Sequence, residues 1–237
     1  MSNTIGLIGG MSWESTATYY REINELIRRR HGGLVSADIL MHSVNFKTIV
    51  DFQKAGRWDL ATERLSAIGR KLAEAGAGCI LICTNTMHLV ADEVARRISV
   101  PLINIVDVTG AAMAAAGARR PLLLATRYTM EQGFYLKRLK EKSNLAALTP
   151  GEADRGVLHG VIFDELCQGI VKPESRKRFV EIIARGRDAG ADSVILGCTE
   201  IGLLIGADDT DLPIFDSTKI HAEAAANFAD GRLAIAA

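Results

Sequence analysis

No excess of charge exists in this 237-residue chain: 28 Lys and Arg balance 28 Asp and Glu. A zero formal balance leaves no basic footprint for nucleic acid and no polybasic patch for a membrane surface. No apolar stretch reaches the roughly 18 residues that a membrane span requires. The start, Met-Ser-Asn-Thr-Ile-Gly, lacks a basic n-region and a long apolar h-region, so no signal peptide is expected. Cysteine is scarce. Cys79, Cys83, Cys167 and Cys198 form no C-x-x-C pair, which argues against a zinc or disulfide framework. His42, His88, His159 and His221 have no H-x-x-H or H-E-x-x-H spacing, so no metal is expected. The segment Gly6-Leu7-Ile8-Gly9-Gly10-Met11 is not G-x-G-x-x-G, and the second strand ends in Met41-His42 without a ribose-binding acid. A dinucleotide site is thereby disfavoured. No G-x-S-x-G elbow appears, which argues against a serine hydrolase of that type. These absences leave a cytoplasmic globular protein, long enough for one large domain or two small ones.

What is present is a repetition. Ala75-Gly76-Ala77-Gly78-Cys79-Ile80-Leu81-Ile82-Cys83-Thr84 echoes Ala189-Gly190-Ala191-Asp192-Ser193-Val194-Ile195-Leu196-Gly197-Cys198 at an offset of 114 residues. Val100-Pro101-Leu102-Ile103 is echoed by Leu212-Pro213-Ile214-Phe215 at 112. Each first motif is an apolar run that stops in small polar residues, Thr84-Asn85-Thr86 and Cys198-Thr199-Glu200. A buried parallel strand hands over to a loop in this way, and ligands of open α/β sheets collect at such strand ends.

Periodicity predicts strands at 3–8, 36–44, 79–83, 100–103, 121–125, 145–148, 193–197 and 212–215. Helices are predicted at about 14–30, 46–55, 58–75, 88–98, 156–168 and 174–188, with Leu60, Leu65, Ile68, Leu72 and Ala75 forming the stripe of the third. Strand-then-helix order implies parallel sheets with helices on both faces. The expected architecture is α/β, with two pseudo-symmetric halves: 1–107, with 216–237 packing back on it, and 108–215. The alanine-rich stretch near 105–117 is expected to join them.

Several residues suit chemistry at the strand ends. Gly9-Gly10 and the turn through Met11 and Ser12 could let backbone approach a small carboxylate; a plain tight turn with Ser12 as N-cap is the competing reading. Thr126 and Thr129 stand at the corresponding strand end of the second half, with hydroxyls suited to a carboxylate or to helix capping. Cys79, Cys83 and Cys167 read as small buried hydrophobes. Cys198 differs, because the apolar run stops one residue before it.

Gly9-Gly10-Met11-Ser12-Trp13-Glu14-Ser15, Cys83-Thr84-Asn85-Thr86-Met87-His88 and Gly197-Cys198-Thr199-Glu200 together resemble the aspartate/glutamate racemase family over essentially the whole chain. The resemblance implies two pseudo-symmetric α/β domains with the active site in the cleft between them. It further implies no cofactor and no pyridoxal phosphate, an amino-acid substrate and a homodimer. In that family each half contributes one cysteine. The second falls on Cys198 and the first on Thr84, because the tripeptide here is Thr84-Asn85-Thr86. Cys83 is adjacent, but one step along an extended chain reverses a side chain's direction, so it does not replace the missing thiol.

By the same resemblance Cys198 serves the L face and Thr84 the opposite one. Met11, Ser12, Gln53, Asn85, Thr86, Thr126, Thr129, Thr199 and Glu200 are the candidate substrate contacts. A thiol suits proton abstraction because neighbouring donors and helix ends can lower its pKa of about 8.5. A threonine hydroxyl is a far weaker acid, so proton exchange on the L face should outrun exchange on the D face. Arg127 and Lys172 are possible partners for a side-chain carboxylate. Two other readings stay open: a single-cysteine decarboxylase or cis–trans isomerase of small dicarboxylates on the same scaffold, and a non-catalytic binding protein.

Overall fold

A computed structural model describes residues 3–233; Met1, Ser2 and the last four residues of the 216–237 segment lie outside the described part. The chain divides into two compact units, one formed by residues up to Asn104 together with those from His221 onward, the other by Ile105–Ile220.

The first unit alternates β1 (Ile5–Gly9), α1 (Trp13–His31), β2 (Ile39–Ser43), α2 (Phe46–Lys54), α3 (Trp58–Glu74) and β3 (Cys79–Ile82). A short 3₁₀ turn, Thr86–Val90, then leads into α4 (Ala91–Ala95). Its sheet is parallel, in the order β2-β1-β3. Every residue of β1 and β3 is buried, which explains why both read as unbroken apolar runs: helices cover both faces of a parallel sheet. Buried side chains of Ile8, Met11, Val44, Ile49, Leu65, Ile68, Ile82 and Met87 share one core. Each fully buried aliphatic side chain contributes about 1.5–3 kcal/mol to that core. The face that α3 buries includes Leu65, Ile68 and Leu72 as its pattern requires, whereas Ala75 is the exposed residue just past its end.

The second unit runs α5 (Ile105–Ala115), β4 (Pro121–Ala125), α6 (Arg127–Glu131), α7 (Phe134–Ser143), α8 (Glu152–Asp164), α9 (Pro173–Asp188), β5 (Ser193–Gly197) and β6 (Ile214–Asp216). The last helix, α10 (Ser217–Ala229), contains the second boundary between units. The sheet is again parallel, in the order β4-β5-β6. Its core gathers Leu122, Leu124, Tyr135, Leu139, Leu158, Phe179, Ile195 and Ile201. The fold is thus α/β with two parallel three-stranded sheets.

Some elements differ from their sequence patterns, each for a physical reason. The stretch 105–117, expected only to join the halves, begins at the break between the units and is mostly helix: alanine favours helix, and Ile105, Val106, Thr109, Gly110 and Met113 give α5 a buried face. Gly110 is required there, since a Cβ would lie within 3.0 Å of Ser143 on α7. The expected strands at 100–103 and 145–148 shrink to single bridges, Ile80 with Leu102 and Leu122 with Leu148. Pro101 lacks an N–H and offers only its carbonyl, which accepts from Ile80 N at 2.9 Å. The helix expected at 88–98 divides into the 3₁₀ turn and α4.

Candidate functional site

Strand register decides which loops meet inside each unit. In the first, Ile8 of β1 pairs with Ile82 of β3, so the Gly9–Ser12 turn and the Cys83–Thr86 loop leave the sheet side by side. Gly10 has φ +85°, and a Cβ there would press on the backbone of Val44, so only glycine fits this turn. The Thr16 hydroxyl accepts from Gly10 N at 2.8 Å and donates to Ser12 O at 3.0 Å, closing the turn. Ser12 caps α1, its hydroxyl accepting from Ser15 N at 3.3 Å. Ser15 in turn donates to Cys83 O at 2.9 Å and ties the two loops together. Gln53, buried on α2, donates through Nε2 to Met87 Sδ at 3.2 Å, so it too reaches the β3 loop.

Thr84 is half-buried, unlike the fully enclosed Cys83 beside it. Its N–H donates to Ile82 O at 2.8 Å, and its carbonyl accepts from His88 Nδ1 at 2.8 Å. The Cys83 thiol is pushed well up by burial alone, and burial lifts Cys79 to about 12. Neither ionises near neutral pH, which accords with their reading as small core hydrophobes.

In the second unit Ala125 of β4 pairs with Gly197 of β5, so Thr126 and Cys198 follow neighbouring strand ends. A Cβ on Gly197 would meet the Leu123 side chain at 2.7 Å, and glycine here lets the strands close just before the site. Thr126 is the N-cap of α6, accepting from Thr129 N, and the two hydroxyls are 3.1 Å apart. The capping reading of Thr126 is therefore realised, with Thr129 wholly buried beneath it. Cys198, Thr199 and Glu200 are all buried. The Cys198 thiol donates to Glu200 Oε2 at 2.9 Å, and the Thr199 hydroxyl donates to the same oxygen at 2.6 Å.

This geometry reverses one expectation. The Cys198 thiol stands well above its ordinary range, first because it is buried, then because the Glu200 carboxylate and Cys167 lie close. Near neutral pH Cys198 is a thiol whose proton points at a carboxylate, not a resting thiolate.

A family described as Asp/Glu/Hydantoin racemase matches residues 8–225. The chain belongs to that family. It is an isomerase, an amino-acid racemase of the Asp/Glu racemase family. A Yersinia pestis protein, provisionally assigned as an Asp/Glu racemase, is 45% identical, with 96% of this chain and 99% of that one covered at a TM-score of 0.90. An aspartate racemase homologue from Pyrococcus horikoshii OT3 is 35% identical, covering 97% and 100% at a TM-score of 0.85. The broad specificity amino-acid racemase RacX of Bacillus subtilis is 21% identical over 92% of this chain and 95% of its own length.

Within this racemase, Met11, Ser12, Gln53, Thr84, Asn85 and Thr86 gather at the strand ends of the first unit, all but Thr84 buried. Thr126, Thr129, Cys198, Thr199 and Glu200 gather at those of the second. Arg127 and Lys172 are less suited to a substrate carboxylate: both are about half exposed and face Glu131 and Glu165 at 3.5 and 3.2 Å. Sequence reasoning weighed His88 and His221 only as metal ligands and did not foresee that both are buried, with the His88 ring bonded to the Thr84 carbonyl. His88 is legible in hindsight, four residues after Thr84 in one short turn. The partner of His221 on α1 is not legible, because 202 residues separate them. Among the described residues no group of three His, Cys, Asp or Glu could hold a metal, and no helix is long and apolar enough to cross a membrane.

Proposed function

We propose that this enzyme racemises a small α-amino acid, L-aspartate, L-glutamate or a broader set of L-amino acids. Cys198 exchanges the α-proton on the L face and Thr84 serves the opposite face. The observation that carries this reading is the Cys198–Glu200 contact: a buried thiol at a strand end, its proton 2.9 Å (heavy atom to heavy atom) from a buried carboxylate. A raised thiol is a poor base by itself. Glu200 supplies the missing step by accepting the thiol proton when a cationic substrate ammonium enters and stabilises the new negative charge. The thiolate then takes the Cα proton and becomes a thiol again. The carbanion is planar at Cα; the Thr84 hydroxyl passes a proton to its opposite face while taking one from solvent water, so that no alkoxide is left, and Glu200 returns its proton to solvent, which gives the D-enantiomer and the starting enzyme.

The α-carboxylate, which takes up the developing charge, calls for preorganised donors. Ser12, Asn85, Thr86, Thr126, Thr129 and Thr199 are the candidates, with Met11 and Gln53 toward the side chain. Gln53 is neutral and accepts acidic or uncharged side chains alike. The chemistry needs no cofactor, because both proton carriers are side chains. A homodimer in the cytoplasm completes the reading, in line with the prevalence of two-fold homo-oligomers.

The test is ¹H NMR of the α-hydrogen of L-aspartate, L-glutamate and a neutral L-amino acid in D₂O, with wild type and Cys198→Ala. Loss of the α-signal with wild type and a drop of about 10³-fold in the variant are expected, a typical range for removal of a general base. No exchange on any amino acid by the wild type overturns the reading.

A further inference from the structure

The chemistry above leaves a buried polar assembly of the first unit without a role. Tyr19 on α1 and His221 on α10 are both fully enclosed. His221 Nε2 lies 2.8 Å from Ile103 O, and His221 Nδ1 lies 2.7 Å from the Tyr19 hydroxyl. A carbonyl only accepts, so Nε2 carries the proton, Nδ1 is the acceptor and Tyr19 donates. Both rings pack edge to face, 5.5 Å between centroids. The His88 ring meets His221 in the same manner at 5.7 Å. By the same logic His88 Nδ1–H donates to the Thr84 carbonyl.

We infer that His88 is a positioning residue for Thr84: its ring, set by the Tyr19–His221 pair, holds the Thr84 peptide so that the hydroxyl points in one direction. Three observations converge on this. The Thr84 N–H is already committed to Ile82 O and its carbonyl to His88, so each of the two peptide planes that flank the Thr84 Cα is held by its own hydrogen bond and cannot turn without breaking it. Threonine is branched at Cβ, so a fixed backbone leaves its hydroxyl few rotamers. The ring that fixes the carbonyl is itself buried against a residue of a distant helix, not free to swing. A weakly acidic hydroxyl tolerates misplacement poorly, since an error of about 1 Å costs on the order of 10²-fold in rate.

This inference rests on the reading that Thr84 serves the D face, and the experiment separates the two. Asparagine places its amide nitrogen where Nδ1 of histidine lies; glutamine places it where Nε2 lies. α-Proton exchange of the D- and L-enantiomers of the preferred substrate is measured in D₂O for His88→Asn, His88→Gln, His88→Phe and Thr84→Val, with thermal unfolding alongside. His88→Asn should stay within about 3-fold of wild type on both enantiomers. His88→Gln and His88→Phe should lose about 10- to 100-fold on the D-enantiomer while the L-enantiomer changes less than about 3-fold, in keeping with the cost of misplacement. Equal behaviour of Asn and Gln, or equal losses on both enantiomers, overturns the positioning role. D-face exchange that survives Thr84→Val overturns the reading beneath it, whatever the His88 variants do.

Discussion

Thr84 and Cys198 end equivalent strands, β3 and β5, yet each is supported differently. After β5, a carboxylate two residues along receives the side-chain proton of Cys198 at 2.9 Å. After β3, an imidazole four residues along donates to the backbone carbonyl of Thr84 at 2.8 Å. One support acts on acidity and the other on orientation. A thiol needs help to lose its proton in a buried place; a hydroxyl needs its direction fixed. The two units share a strand register, with Ile8 beside Ile82 and Leu124 beside Leu196, and differ in the residues that follow each strand.

The sharpest way to break this contrast is Glu200→Gln. It replaces the charged carboxylate that faces Cys198 and Thr199 with a neutral amide, which still accepts a hydrogen bond but takes no proton, and L-face exchange should fall by about 10- to 100-fold, within the usual range for a proton acceptor. The thiol should shift the other way. Burial and the Glu200 carboxylate hold its pKa up. Loss of the negative charge lowers it, so alkylation by iodoacetamide should rise at a lower pH than in wild type. An unchanged alkylation profile would show that Glu200 does not govern the thiol.

Thr84→Cys tests the contrast from the opposite side. A second thiol should raise D-face exchange by about 10-fold, less than full general-base catalysis, since Asn85 and Thr86 follow it where Glu200 follows Cys198. Equal rates on both enantiomers would mean that the carboxylate is dispensable.

Acid should weaken the first unit's support through His221, whose pKa burial lowers from 6.5 to about 3, with the nearby His88 and the Ile103 hydrogen bond as smaller influences. Between those values the unfolded chain binds a proton that the folded one refuses. Stability therefore falls as pH drops from about 6.5 toward 3, by at most ~1.4 kcal/mol per pH unit for this one proton. Urea unfolding from pH 7 to 4 should show that slope, and His221→Gln should make it shallower. The smallest effect is expected for Cys83→Ala. Losing one buried sulfur should cost about 1–2 kcal/mol, scaled from larger core truncations, and leave exchange on both enantiomers unchanged. A loss of exchange without a loss of stability would give Cys83 a chemical part.

Much of this was legible in the chain. Unbroken apolar runs ending in Thr84-Asn85-Thr86 and Cys198-Thr199-Glu200 located β3, β5 and the site loops, because buried parallel strands carry no polar face and stop where polarity begins. Alanines at 105–117 were ambiguous, since a helix with one buried face and a flexible joint share that composition. The single bridges at Leu102 and Leu148 were overread as strands, because a short apolar run with β-formers fixes no pairing partner by itself.

The residue types at the strand ends, their loop spacing and the threonine in place of a thiol were determined by sequence alone, because they are local properties of the chain. The raised pKa of Cys198 and the neutrality of His221 were decided by tertiary structure. Both follow from removal of water and the approach of specific neighbours, and the partners of His221 at Tyr19 and Ile103 lie 202 and 118 residues away along the chain. Local pattern names the candidate atom. Burial and distant contacts set its proton.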